Sequence, residues 1–235
     1  LIVVMSVMNG FRSELINKII GFNAHAVVKT YGNTIDNEKI NNLNLKNIST
    51  KYIYSSTGEG VLINKNYTKG LLIRGYSKDS FVKLDIVNNQ KFNGNKKLNI
   101  KHISIGKELS FNHEIKIGDK ILIMSPSGEE TIIGNLPKQE TYIVDSIFDS
   151  GIADFDESVA FMNINDLENL FDKEKSERIL EIYLKNPVNI EKMKNILQNI
   201  FVDEYVYTWA DLNKSLFSAL RVERNVMFII LSLII

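Results

Sequence analysis

The two ends of the chain constrain it most. Leu1 to Met8 is apolar except for Ser6, and Val226 to Ile235 is apolar except for Ser232. Neither run reaches the roughly 20 apolar residues that cross a bilayer. A free globular domain seldom carries such runs at both ends, because exposed apolar patches drive association. Two other readings exist: a signal-peptide remnant at the start and a buried core helix at the end. A signal peptide shows a basic start and a small-residue cleavage site, and the first residues show neither. The expectation is a domain bounded by stubs of two transmembrane helices.

Each run leads into an amphipathic segment. Met8, Phe11, Leu15 and Ile19 fall at helical spacing before Gly21 and Asn23 stop the pattern. Trp209, Leu212, Leu216 and Leu220 form a matching stripe near the other end, with Asp211 in the first turn, where a carboxylate suits the helix dipole. Two membrane helices are therefore expected to continue as stalks, 1–22 and 209–235, that carry the domain between them. Arg12, Arg221 and Arg224 lie on the domain side of the apolar runs. A large domain translocates largely regardless of such charges, so they leave its side of the membrane open.

The segment between the stalks is ordinary for a globular domain, with 24% charged and 44% hydrophobic residues. Lys and Arg (28) balance Asp and Glu (28), which excludes the basic surface of a nucleic-acid-binding protein. Cysteine is absent, which removes disulfides, thiol nucleophiles and thiolate metal sites.

Two stretches share a β-α-β pattern. One has strands at Ala24 to Thr30 and Ile48 to Ser55 around a helix at Asp36 to Leu45. The other has strands at Ile179 to Leu184 and Glu204 to Tyr207 around a helix at Ile190 to Ile200. They predict one α/β unit split between both ends of the chain, 23–77 plus 176–208. Ser55-Ser56-Thr57-Gly58-Glu59-Gly60 reads as a turn-rich break, followed by strands at Val61 to Ile63 and Leu71 to Gly75. The middle, 78–175, reads as a mostly β insertion. It has a short helix at Gly106 to Asn112, strands at Lys120 to Met124, Tyr142 to Phe148 and Ser158 to Met162, and a helix at Asn165 to Phe171. The fold class expected is α+β.

Catalytic chemistry finds no foothold. His25, His102 and His113 are scattered, and no second histidine or carboxylate stands at metal-ligand spacing from any of them. No nucleophile elbow, phosphate loop or zinc-helix motif is present. Asp149, Asp154, Asp156 and Glu157 cluster around Gly151, but their spacing matches no calcium loop, and a solvated turn between two strands is expected. The chain is read as no enzyme, with no catalytic residue, metal or cofactor.

Ser125 to Gln139 is the most unusual segment. It holds Pro126 and Pro137, two of the three prolines, together with Gly128 and Gly134 around Ile132 and Ile133. Strands on either side make it a long hairpin tip, which is either a shaped projection or an ordinary loop whose isoleucines tuck back onto the sheet.

Three motifs resemble a known family. Val4-Met5-Ser6-Val7-Met8-Asn9-Gly10-Phe11-Arg12-Ser13-Glu14-Leu15 resembles the end of the first transmembrane helix of the lipoprotein-releasing permeases LolC and LolE. Arg224-Asn225-Val226-Met227 and the run to Ile235 resemble the start of their second. Ile105-Gly106-Lys107-Glu108-Leu109, then Ile117-Gly118-Asp119-Lys120-Ile121, is similar to a motif pair of the wider MacB/FtsX permease superfamily. The resemblance covers the whole chain. It implies an ABC transporter permease subunit of the bacterial inner membrane whose periplasmic domain has a split porter part and an inserted sabre part. The implied partners are a LolD-like cytoplasmic ATPase, a second permease subunit of the same or a different kind, a LolA-like periplasmic carrier and the lipoprotein itself. The domain would transmit ATP-driven helix movement and pass lipoproteins to the carrier.

In LolC-type members a hairpin hook docks the carrier, and Gly134-Asn135-Leu136-Pro137 resembles the end of that hook. The carrier-docking residues implied are Ile132, Ile133, Gly134, Asn135, Leu136 and Pro137. Glu129 to Ile133 departs from the pattern by about one residue. The alternative is a MacB- or FtsX-like permease domain that binds an export duct or a cell-wall hydrolase regulator and lacks such a hook. A sensory ectodomain with a ligand pocket between its stalks is a third possibility, for which the sequence shows no sign.

Overall fold

The computed structural model describes residues 6, 7, 10, 14, 20–30, 34–64, 67–131, 134–187 and 190–234. Most of the first amphipathic segment lies outside them, including Met8, Phe11, Leu15 and Ile19; the described positions 6, 7, 10, 14 and 20–22 are helical.

The elements run β1 (Ala26–Lys29), α1 (Asn37–Ile40), α2 (Leu43–Ile48), β2 (Ser49–Asn64) and β3 (Tyr67–Tyr76). Then come α3 (Lys78–Phe81), α4 (Asp85–Asn88), β4 (Asn93–Gly94), β5 (His102–Gly106) and α5 (Lys107–Asn112). The hairpin strands β6 (Lys120–Thr131) and β7 (Gly134–Phe148) lead to α6 (Ala153–Ser158), β8 (Val159–Asn163) and α7 (Ile164–Phe171). Last are β9 (Ile179–Leu184), α8 (Ile190–Ile200), β10 (Tyr205–Thr208), α9 (Trp209–Leu212) and α10 (Lys214–Ile234). The fold is mixed α/β. Among the described residues, no helix is long and apolar enough to cross a membrane.

The chain divides into two compact units. The first comprises Leu1–Val28, Asn37–Lys51 and Ile182–Ile235; the second comprises Lys29–Asp36 and Tyr52–Glu181.

In the first unit, β10, β1 and β9 are neighbours in that order. The start of β2 lies beside β9, where the Thr50 hydroxyl donates to the Tyr183 carbonyl at 3.1 Å. Helix α8 buries Ile190, Leu197 and Ile200 and exposes Lys192, Asn195 and Gln198, the spacing of an amphipathic helix. The last helical stretch is broken, contrary to the continuous stripe read from Trp209 onward. Asn213 leaves the helical conformation and its side-chain amide donates to the Trp209 carbonyl at 2.8 Å. Thr208 and Asp211 form a capping box on α9. The Thr208 N–H donates to Asp211 Oδ2 at 2.9 Å and the Asp211 N–H to Thr208 Oγ1 at 3.3 Å.

In the second unit, β3 follows β2 antiparallel, β8 is parallel to β3, and β5 is antiparallel to β8. Strand β7 is parallel to β5, and β6 pairs antiparallel with both β7 and β2. The pairings β2-β3-β8-β5-β7-β6-β2 therefore close on themselves as a small barrel. Closure fixes which face of each strand is dry. Leu71 and Ile73, Ile103 and Ile105, Ile121 and Ile123, Tyr142 and Val144, and Ala160 and Met162 each stand two residues apart and share one core with Leu62. Leu109 of α5 and Leu167, Leu170 and Phe171 of α7 complete it.

The glycines of Ser55 to Gly60 belong to this core, which corrects the reading of that segment as a turn. It is the middle of β2, paired residue by residue from Ser55↔Tyr76 to Gly60↔Leu71. A Cβ at Gly58 would lie 2.6 Å from the Phe171 ring, so the strand is bare there because the ring occupies the space. Pairing also extends further along β6 and β7 than the sequence predicts. The acidic stretch after β7 is likewise more ordered than a solvated turn: residues 153–158 form α6, and Asp156 is buried.

The motif glycines have fold-level roles. At Gly106, where β5 enters α5, a Cβ would sit 2.0 Å from the Asp156 carbonyl oxygen. Gly118 adopts φ +98 and donates its N–H to Val144 at 2.8 Å.

Two outcomes follow from these contacts. Gly106→Ala forces α5 and α6 apart and should lower stability by about 2 kcal/mol, whereas Gly70→Ala, with nothing within 4 Å, should be neutral in the same urea titration. For Asp211, burial pushes the carboxyl up, but hydrogen bonds from Lys194 and Thr208 outweigh it and hold the group below its ordinary value. A depressed carboxylate stabilises the fold above its unfolded value and loses that effect as the pH falls through the folded one. Asp211→Ala should therefore cost about 1 kcal/mol at pH 7, and the difference from the parent should vanish as the pH falls below about 4.

Candidate functional site

The histidines serve structural contacts. His25 Nδ1 accepts the Leu184 N–H at 2.7 Å and Nε2 donates to the Ile20 carbonyl at 3.2 Å, with the Tyr183 ring edge-on at 5.8 Å. His113 stacks on Tyr67 at 3.9 Å, and His102 contacts the Ile100 carbonyl at 2.8 Å. Among the described residues, no group of three His, Cys, Asp or Glu side chains is arranged to hold a metal ion.

Within the acidic cluster, Asp149 accepts from Lys107 at 3.1 Å and from the Gly151 N–H at 2.9 Å. Its burial raises the carboxyl, and these donors reverse the effect and hold it low. Asp156 accepts the Ser150 N–H at 3.0 Å, while burial pushes its carboxyl above the ordinary value. Glu157 pairs with Lys69 at 2.5 Å. These carboxylates are committed to neighbouring donors.

The hairpin is the remaining candidate. Its root is fixed on three sides. Leu122, Ile123 and Met124 pair with Ile63, Leu62 and Val61, and β7 pairs with β5 from Ile143 onward. Lys138 supplies the third contact. Its ammonium donates to the Asn169 carbonyl and to Asp172 at 2.9 Å, at the C-terminal end of α7. A cation suits the negative end of the helix dipole. Sequence reasoning missed this contact, since nothing near Lys138 in the chain announces a partner more than thirty residues away.

Beyond the root the two strands stay paired as far as Thr131↔Gly134. Pro126 and Ser127 form a bulge on β6, between the pairs Ser125↔Lys138 and Gly128↔Pro137. Of the docking residues predicted, Ile132 and Ile133 lie outside the described residues. Gly134, Asn135, Leu136 and Pro137 are the first four residues of β7, opposite Thr131, Glu130, Glu129 and Gly128. Leu136 is 56% exposed and Pro137 is exposed. Val144 donates its N–H to the Asp119 carbonyl on the β6 side and Ile143 donates to the Lys101 carbonyl on the other, so the even-numbered residues of β7 face β6 and the pairs alternate between bonded and non-bonded. Thr131↔Gly134 and Glu129↔Leu136 are thus bonded pairs, whereas Glu130↔Asn135 and Gly128↔Pro137 are not. Pro137 stands where a strand needs no inward N–H, so the ladder runs through it unbroken.

No protein-family profile matches this sequence. Among solved structures, the chain is similar to the periplasmic region of MacB from Actinobacillus actinomycetemcomitans. The TM-score is 0.47 at 11% identity, over 84% of this chain and 95% of that one. Among curated proteins, it resembles the lipoprotein-releasing system transmembrane protein LolC of Neisseria meningitidis serogroup B over its full length. The identity is 29% over 244 residues. The LolC protein of Xylella fastidiosa (strain Temecula1) is 23% identical, again over the whole chain. The chain spans 58% of the length of these relatives.

The Lys138 contact gives a direct expectation. Its side chain is 26% exposed and that of Asp172 51%, so the pair contributes only about 0.5 kcal/mol. Lys138→Met should leave the urea midpoint nearly unchanged while exchange of the ladder-bonded Gly134 and Leu136 amides speeds up several-fold by nuclear magnetic resonance.

Proposed function

We propose that this chain is the periplasmic domain of a lipoprotein-releasing ABC transporter permease subunit of the inner membrane, and that the β6–β7 hairpin is its carrier-docking hook. The observation that carries the reading is the similarity to LolC proteins, which runs the whole length of the chain. On this reading the two ends of the chain form the porter part and its middle the sabre part. ATP hydrolysis belongs to a separate cytoplasmic subunit, and this domain transmits movement between its stalks to a paired permease domain. Closure expels the lipoprotein towards a carrier held at the hook. The work asked of the domain is mechanical and adhesive, and needs no reacting side chain.

Ile132, Ile133, Leu136 and Pro137 form the small apolar anchor of the hook, with Gly134 and Asn135 shaping the turn into β7. A few such residues commonly dominate an interface. The test is titration of the chain, held in detergent, with the periplasmic lipoprotein carrier of its own organism. Binding is expected, and replacing all four anchor residues by serine should weaken it at least about tenfold. Unchanged binding by that variant overturns the hook assignment. If the intact, folded chain does not bind, lipoprotein release gives way to a MacB- or FtsX-like role with another periplasmic partner.

A further inference from the structure

The closed barrel of the second unit leaves few strand edges open. The end of β2 covers β6 as far as Met124, and β5 and β4 cover β7 only from Ile143 onward. Among the described residues, the ribbon from Gly128 to Pro137 therefore has no strand on either flank. Open edges of this kind are ready templates for another strand.

The two flanks are not equivalent. In the non-bonded pairs Gly128↔Pro137 and Glu130↔Asn135, the backbone groups of each residue point away from the hairpin. On β7, Asn135 offers an N–H and a carbonyl, but Pro137 has no N–H to offer. That flank is interrupted. On β6, Gly128 and Glu130 each offer both groups, two residues apart, in the repeat an incoming strand requires. The bulge at Pro126 and Ser127 ends this open stretch, which limits it to a short partner segment. The stretch also carries Glu129 and Glu130 and no cation, so it favours a basic partner strand.

We infer that the outer edge of β6, Gly128 to Thr131, is a strand-addition site that captures an extended, basic segment of the docked carrier by main-chain hydrogen bonds. The inference rests on the docking role proposed above and adds the edge and the bonding mode. In this mode the apolar anchor supplies burial, and the Gly128 and Glu130 amides set the register of the partner.

The test compares two variants of the full chain in detergent, Glu130→Pro on the β6 edge and Gln139→Pro on the β7 edge. Each position belongs to a non-bonded pair, Glu130↔Asn135 and Met124↔Gln139, so each proline removes an outward N–H and spares the hairpin ladder, as Pro137 already does. Carrier binding should fall at least tenfold in Glu130→Pro and less than threefold in Gln139→Pro. A second measurement needs no variant: carrier added to the parent chain should slow exchange of the Gly128 and Glu130 amides more than that of Asn135. Equal binding by both variants, or no added protection at Gly128 and Glu130, overturns strand addition while carrier docking stands. Absence of carrier binding by the parent chain overturns both.

Discussion

The carboxylate of Glu181 is the group on which the second unit depends. It is 1% exposed, and its Oε1 accepts from Ser55 at 2.6 Å, Arg74 at 2.9 Å and Tyr76 at 3.0 Å. A buried carboxylate stripped of its cation is destabilised by several kcal/mol, so these donors must all arrive in place. Ser55 faces Tyr76 across the β2–β3 ladder, and Arg74 stands two residues along the same face. A slip of one residue in either strand would turn the donors to the opposite face. The network thereby fixes the register of β2 against β3 and β9. Strand β6 is laid on the far end of β2, at Val61 to Ile63, so the root of the hairpin inherits that register. An interior polar cluster and a surface ribbon are linked through one strand.

Much of the fold was legible because its signals are local. Strands β1, β8 and β9 and helices α5, α7 and α8 follow from apolar periodicity and appear where that periodicity placed them. The failures share one cause. Gly58 and Gly60 look like turn residues until Phe171, more than a hundred positions later, is seen to fill the space above them. Asp156 looks like a solvated acid until Gly106, fifty positions earlier, is seen packed against its backbone. In each case the meaning of a small or polar residue was set by a neighbour distant in the chain, and periodicity carries no information about such neighbours.

The candidate site was legible in outline. Two prolines and two glycines around an apolar pair marked Ser125 to Gln139 as a hairpin tip and left projection and loop equally open, and the strands stay paired as far as Thr131↔Gly134. Pro137 does not end the pairing. In an isolated ribbon half of all positions turn their N–H outward, and a proline there costs no ladder bond. The anchoring of Lys138 on α7 was out of reach, because an ammonium near a helix end is visible only once both elements are placed.

The glycine motifs show where specificity can reside. Ile105, Leu109 and Ile121 are buried in the barrel core, Gly106 admits the Asp156 carbonyl, and Gly118 turns the chain into β6. Residues tied down in this way report on how the domain folds and are poorly placed to choose a partner. The choice must fall where the packing constraints end. Along β6 that point is Met124, the last residue paired to β2, and beyond it the chain carries a bulge, an acidic stretch and an uncovered edge. The root of that ribbon is fixed by β2, β5 and α7. On the reading proposed above, the root therefore serves the fold and the stretch beyond it serves the partner.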